Sequence, residues 1–174
     1  MIFSEKQYNT NYNFFTLEKV ATETWFLVHM IGFYHEEELP TLFNLLKNHF
    51  ICPKCKKHIK DYLHDHEIKT FKDTLIFHNA VNARLGKLVL NEDLFNEKVI
   101  EILYEEKVTF EFMLYLPMLA FFNGEKRLGN KIVKIIFHED FCFNDFNDFF
   151  SYVLDIPQKI YKFKFKDKIK RELV

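Results

Sequence analysis

The stretch TFKDTLIFHNAVNARLGKL, residues 70–88, decides the fold class. Its apolar positions Leu75, Phe77, Val81, Leu85 and Leu88 recur at helical rather than alternating spacing, so the segment predicts a helix from Thr70 to Leu88. The same period runs outward in both directions. Upstream, Leu17, Val20, Ala21, Thr24, Val28 and Ile31 form one face of a helix from Phe14 to Phe33. Leu42, Phe43, Leu45 and Leu46 mark a second helix from Leu39 to Phe50, with Pro40 in its first turn. Ile59, Tyr62 and Leu63 mark a third from Cys52 to His64. Downstream come a stripe of Phe95, Val99, Ile102 and Leu103, then an almost wholly apolar run from Phe110 to Phe122. Two further stripes follow, Leu128, Ile132, Ile135 and Ile136, and Phe146, Phe149, Phe150, Val153 and Leu154. With only 4 Gly and 4 Pro there is little tight-turn chemistry for an all-β fold, and the expectation is all-α.

Length and charge narrow the function. A chain of 174 residues forms one compact domain, or a small domain with an extension, and 48% hydrophobic content excludes disorder. Its 24 basic and 25 acidic side chains are not the balance of a dedicated nucleic-acid binder. The opening MIFSEKQYNTNYNFF has no basic stretch followed by an apolar run, so no secretory signal is expected there. The longest apolar run, Phe112 to Phe122, contains Pro117 and falls well short of the roughly 20 residues that cross a bilayer, so it reads as a buried, kinked helix. A soluble protein of a cytosol-like compartment is expected. The tail from Asp155 carries seven basic and three acidic residues, and its Lys162-Phe163-Lys164-Phe165-Lys166 reads as a solvated end or a short strand. The aromatic content, 22 Phe, 8 Tyr and 1 Trp, is high and lies mostly outside any motif.

Three cysteines are too few for a disulfide scaffold. Two of them make Cys52-Pro53-Lys54-Cys55. Pro53 suits a first helical position, which puts Cys52 at the helix N-cap, where the helix dipole and free N–H groups favour a thiolate. Lys54, Lys56, Lys57 and His58 add positive charge. Three readings are open: a redox-active pair, a zinc site completed by two of His58, His64 and His66, or two ordinary buried thiols. A second cluster lies in the opening stretch, where His78 and Asn82 share a helix face and two Asn sit in one helix interior. A buried polar face needs partners, and a heteroatom-rich ligand would supply them. Trp25 and His29 are likewise at i, i+4, so an indole stands beside an imidazole.

Taken together, Trp25-x3-His29, Cys52-x2-Cys55 and His78-Asn79-x-Val81-Asn82-x2-Leu85-Gly86-Lys87 resemble the Erv/ALR family of FAD-linked sulfhydryl oxidases, in that order and spacing, over roughly residues 15 to 90. The short chain resembles the forms encoded by large DNA viruses. The resemblance implies a four-helix bundle that binds FAD beside the CxxC, with Cys52 and Cys55 catalytic. It implies cofactor contacts from Trp25, His29, Tyr34, His78, Asn79, Asn82, Leu85 and Lys87, the lysine offsetting phosphate charge. Two positions depart from the family pattern: Ala21-Thr22 where a Gly-Arg is common, and Asp73 where a Trp is common. The implied reaction oxidises protein dithiols: Cys52 exchanges with substrate, Cys55 lies against the flavin, and electrons pass to FAD and then to oxygen, giving hydrogen peroxide. Cys142 has no second cysteine to pair with and is expected to be a buried free thiol, so the CxxC takes electrons directly from a thiol-containing protein, such as a thioredoxin-like partner. The expected organisation is a catalytic domain over 1–94 and a helical domain over 95–174 that forms a dimer or partner surface. No metal, nucleic acid or membrane span is expected, and the expected location is cytoplasmic, in a host cell or virion if the protein is viral. The alternative is a zinc-stapled helical adaptor built on Cys52, Cys55 and nearby His.

Overall fold

The computed structural model describes residues 17–104 and 107–155; the N-terminal residues and the basic tail read above lie outside the described residues. Among the described residues the regular structure is all helical. In chain order the helices are α1 (Leu17–Tyr34), α2 (Leu39–His49), α3 (Pro53–Asp65), α4 (Phe71–Arg84), α5 (Glu97–Tyr104), α6 (Phe110–Met113), α7 (Tyr115–Phe122), α8 (Lys126–Phe137) and α9 (Phe146–Leu154). Short 3-10 turns at Glu36–Glu38 and Glu92–Leu94 precede α2 and α5. None of these helices is long and apolar enough to cross a membrane.

The helix boundaries follow local chemistry. Thr70 caps α4 through a box: its hydroxyl accepts the Asp73 N–H at 3.2 Å while Asp73 accepts the Thr70 N–H at 2.8 Å. Asp73 is thus used as the N3 residue of the cap. The helix ends at Arg84, short of the expected Leu88. Gly86 adopts φ 66°, and the N–H groups of Gly86 and Lys87 turn back to the carbonyls of Ala83 and Asn82. The apolar run from Phe110 splits into α6 and α7 at Leu114, because Pro117 has no N–H to give the Met113 carbonyl.

α1 is the axis of the molecule. It packs on α4 and α2 on one side and on α5, α6, α7 and α8 on the other. Phe26, Leu27, Val28, His29, Met30 and Ile31 are consecutive and all buried, which marks a helix enclosed all round. One contiguous core runs from Val20 and Leu27 through Phe43 and Leu46 to Met113, Ile132 and Phe149. Each such side chain contributes about 1.5–3 kcal/mol on burial. Polar ties join the same surfaces: Glu23 accepts the Thr109 N–H at 2.8 Å, and Glu38 pairs with Arg127. Burial pushes the Glu23 carboxyl pKa upward.

Two apolar stripes differ from the sequence reading. α5 turns Ile100 and Tyr104 toward α1 and leaves Ile102 65% exposed, because the face that meets α1 is the 100/104 pair. Leu154, at the open end of α9, is 67% exposed. Cys142 is also exposed rather than buried. It lies in the irregular segment between α8 and α9, where Phe141 and Phe143 pack against the core on either side of it. The phenylalanines of this half, with Phe121, Phe149 and Tyr152, interlock at centroid distances of 5.0–6.1 Å.

The approach of α4 to α1 depends on Gly32. A Cβ there would stand 3.0 Å from Thr74 Cγ2 and 3.2 Å from the Phe71 backbone. Gly32→Val is expected to destabilise the chain by about 2 kcal/mol or more through overpacking. A urea midpoint unchanged from the native chain would refute the close approach.

Candidate functional site

Cys52 and Cys55 form a disulfide at the N-terminus of α3, with Cα atoms 5.2 Å apart. Cys52 is the N-cap, extended at φ −98° and ψ 112°, and its sulfur accepts the Cys55 N–H at 3.2 Å. Pro53 opens the helix with a residue that has no N–H to satisfy. Both cysteines are half-buried, and both line a cavity of about 420 Å³ enclosed by α1, α2, α3 and α4. Its other walls are mostly apolar. Ala21, Trp25 and Val28 come from α1, Phe43, Leu46 and Phe50 from α2 and its end, and Phe77 and Val81 from α4. Lys54, Arg84 and Lys87 place cations along it, with no ion-pair partner among the described residues.

Behind the Trp25 wall lies a polar row in which Thr74 and His29 are buried and His78 is half-buried. The Trp25 ring stacks on His78 at 3.8 Å and an interplanar angle of 5°. His78 Nδ1 is 2.9 Å from His29 Nε2, and His29 Nδ1 is 2.9 Å from Thr74 Oγ1. His29 is fully buried. Desolvation, reinforced by His78, depresses the His29 pKa to about 3. Desolvation and the nearby Lys87 depress that of His78 to about 4. Both rings are therefore neutral near pH 7.

The residues singled out in the sequence divide by position. Cys52, Cys55, Trp25, Leu85 and Lys87 line the cavity directly, and His29 and His78 stand behind Trp25. Asn82 shares α4 with His78, one turn on, and is half-buried. Asn79 is buried, and its side-chain amide is spent on one peptide: Nδ2 donates to the Leu90 carbonyl at 2.8 Å and Oδ1 accepts the Leu90 N–H at 2.9 Å. It clamps the strand of chain that follows Gly86 and carries Lys87. Tyr34 is not brought to the cavity. It is 48% exposed at the last residue of α1, and its hydroxyl donates to Glu97.

Sequence reasoning passed over His58 and Arg84 as cavity residues. His58 Nδ1 is buried with no hydrogen-bond partner among the described residues and faces the same cavity as the disulfide. Desolvation, with Arg84 next, lowers its pKa. The signal was its spacing, three residues after Cys55, which puts both on one side of α3.

Of the imidazoles the zinc reading offered, only His58 faces the cavity of the cysteines. Cys52 and Cys55 are bonded to each other, His64 meets Asp65 at 2.9 Å on an exposed edge, and His66 turns back to the Tyr62 carbonyl at 3.1 Å. Among the described residues no group of three or more His, Cys, Asp and Glu side chains is placed to hold a metal ion. A disulfide at a helix N-terminus, open to an apolar cavity with a cationic side, suits thiol–disulfide exchange beside a flat, anionic cofactor. Residues 22–100 match the model of the Erv1/Alr family. No curated protein and no solved structure matches the chain.

Proposed function

We propose, from the match of residues 22–100 to the Erv1/Alr family model, that the chain is an FAD-dependent sulfhydryl oxidase, which converts protein dithiols to disulfides and reduces oxygen to hydrogen peroxide. The observation that carries this reading is the Cys52–Cys55 disulfide opening into the cavity that Trp25 walls. The donor set fits FAD: apolar and aromatic walls suit an isoalloxazine ring, and Arg84 and Lys87 suit a pyrophosphate.

The chain's own part is thiol exchange. A substrate thiolate attacks Cys52 Sγ, a substrate–Cys52 bond forms, and Cys55 leaves as a thiolate. A second substrate thiolate then attacks the substrate sulfur and expels Cys52. Cys52 is a good leaving group because the Cys55 N–H and the α3 N-terminus stabilise its thiolate. The substrate leaves as a disulfide, and the cysteine pair holds two electrons and gives up two protons as it is reoxidised. FAD, when bound, supplies the two-electron acceptor that hands those electrons to oxygen. Trp25 and the α2 side chains form the apolar wall on the cavity side of the pair.

The test is direct. Purified protein should carry the visible absorbance of a flavin and consume oxygen with dithiothreitol. Colourless protein that binds no added FAD would overturn the reading. The exposed Cys142 is proposed to stand outside the path, so Cys142→Ser should keep turnover within about twofold of the native chain with both dithiothreitol and a reduced thioredoxin-like protein. A Cys142→Ser chain that holds FAD but no longer oxidises the protein substrate would make Cys142 part of the relay.

A further inference from the structure

The polar row behind Trp25 runs in one direction only. It starts at Thr74, whose hydroxyl lies 2.6 Å from the Phe71 carbonyl. A carbonyl oxygen only accepts, so the hydroxyl proton lies between them. Thr74 Oγ1 can then only accept from His29, and the proton in that 2.9 Å contact belongs to His29 Nδ1. A neutral imidazole has one ring proton, so His29 Nε2 is bare. The 2.9 Å contact between His29 Nε2 and His78 Nδ1 therefore needs the proton on His78 Nδ1. This leaves His78 Nε2 bare as well, on the opposite edge of its ring, with no hydrogen-bond partner among the described residues.

We propose that Thr74 is a positioning residue for the cofactor site: it locks His29 and then His78 in their Nδ1–H forms, so that His78 presents Nε2 as a pure acceptor to an N–H or O–H donor of the bound nucleotide. The geometry supports the links from Thr74 to His78. Thr74 is fully buried, so no water competes for its hydroxyl. Gly32 allows α4 close enough for the hydroxyl to reach His29. Trp25, parallel to His78, holds the ring plane and joins it to the cavity wall. The neutral state of both rings at pH 7 is the condition for the relay, since a doubly protonated ring would place two donors face to face. The cofactor half of the proposal rests on the flavoprotein reading; the tautomer lock does not.

The experiment uses the full chain labelled with 15N-histidine. Native protein between pH 6 and 8 should show protonated Nδ1 and bare Nε2 at both His29 and His78. Thr74→Val, close in shape but without the hydroxyl, should lose that pattern at both rings and weaken FAD binding about tenfold. Thr74→Ser should restore both. Protonated Nε2 on either ring of the native chain overturns the proposal, whether or not any variant folds. So does Thr74→Val with both tautomers and FAD affinity unchanged. A native chain with the expected tautomers that binds no FAD would sink the oxidase reading while leaving the lock in place, so the two failures are distinguishable.

Discussion

Cys55→Ser should lower oxygen consumption with dithiothreitol by at least about three orders of magnitude while leaving flavin absorbance in place. The size of the effect follows from the chemistry. Two-electron exchange needs a disulfide that can open and close, and a serine hydroxyl at 55 can do neither. Cys52 keeps its N-cap position, so its thiolate should still attack an added small disulfide, expel one small thiolate and keep the other half as a stable mixed disulfide. Mass spectrometry reads that adduct. Cys52→Ser should lose turnover as completely, but without the cap-stabilised thiolate its adduct on Cys55 should form more slowly. Equal trapping rates would remove the assigned roles, and more than a tenth of native turnover in either variant would remove the pair from the reaction. The cavity walls supply no alternative sulfur, because the other cysteine lies exposed between α8 and α9.

Acid should unfold this protein earlier than its carboxylates alone would require. His29 and His78 have folded pKa values of about 3 and about 4, both below the unfolded value of 6.5. Between 6.5 and about 4 the unfolded chain therefore binds protons that the folded chain refuses. Stability is full above pH 6.5 and falls as the pH drops through that window, at up to about 1.4 kcal/mol per pH unit for each ring. From pH 7.5 to 5 the loss from the pair is about 4 kcal/mol, a large part of an ordinary folding free energy. The measurement is the urea-unfolding free energy across that range in the native chain, in His29→Gln and in His78→Gln. Each variant should start less stable at pH 7.5 and lose about 2 kcal/mol less on going to pH 5. A native curve parallel to both variants would mean that the two imidazoles are not held neutral in the core.

The helical class and the cysteine pair were legible because both are written in short-range patterns. The i, i+3, i+4 stripes need only the rotation of one helix, and Leu128, Ile132 and Ile136 are buried as their stripe requires. Cys52 and Cys55 are three residues apart, so a helix start brings their sulfurs within bonding reach. Pro53 marks where that start lies. The same logic ran past its range where a stop signal or a neighbour decided the outcome. Gly86 ended α4 early through its left-handed backbone, and α5 chose Ile100 over Ile102 because α1 faced that side.

Asn79 and Tyr34 have surroundings that the motif spacing does not give. Asn79 has the right neighbours in sequence, but its amide is consumed by Leu90, eleven residues on. Tyr34 follows His29 by five residues, yet the last turn of α1 carries it to Glu97 and away from the cavity. His58 was visible in the sequence as positive charge near the cysteines, and only the enclosure of its Nδ1 by the cavity wall distinguishes it from the lysines around it.

By itself, then, the sequence determined that the chain is helical, where a redox-capable cysteine pair caps a helix, and which imidazoles and indole share helix faces, because each of these depends on residues within about a turn of one another. The tertiary structure decided that α1 is enclosed from both sides, that Cys142 faces outward, and that Thr74, His29 and His78 line up as one proton-ordered row. Those contacts join residues 45 and 49 positions apart, and they exist because Gly32 lets two helices close to hydrogen-bonding distance, a property of the packed pair that neither helix encodes alone.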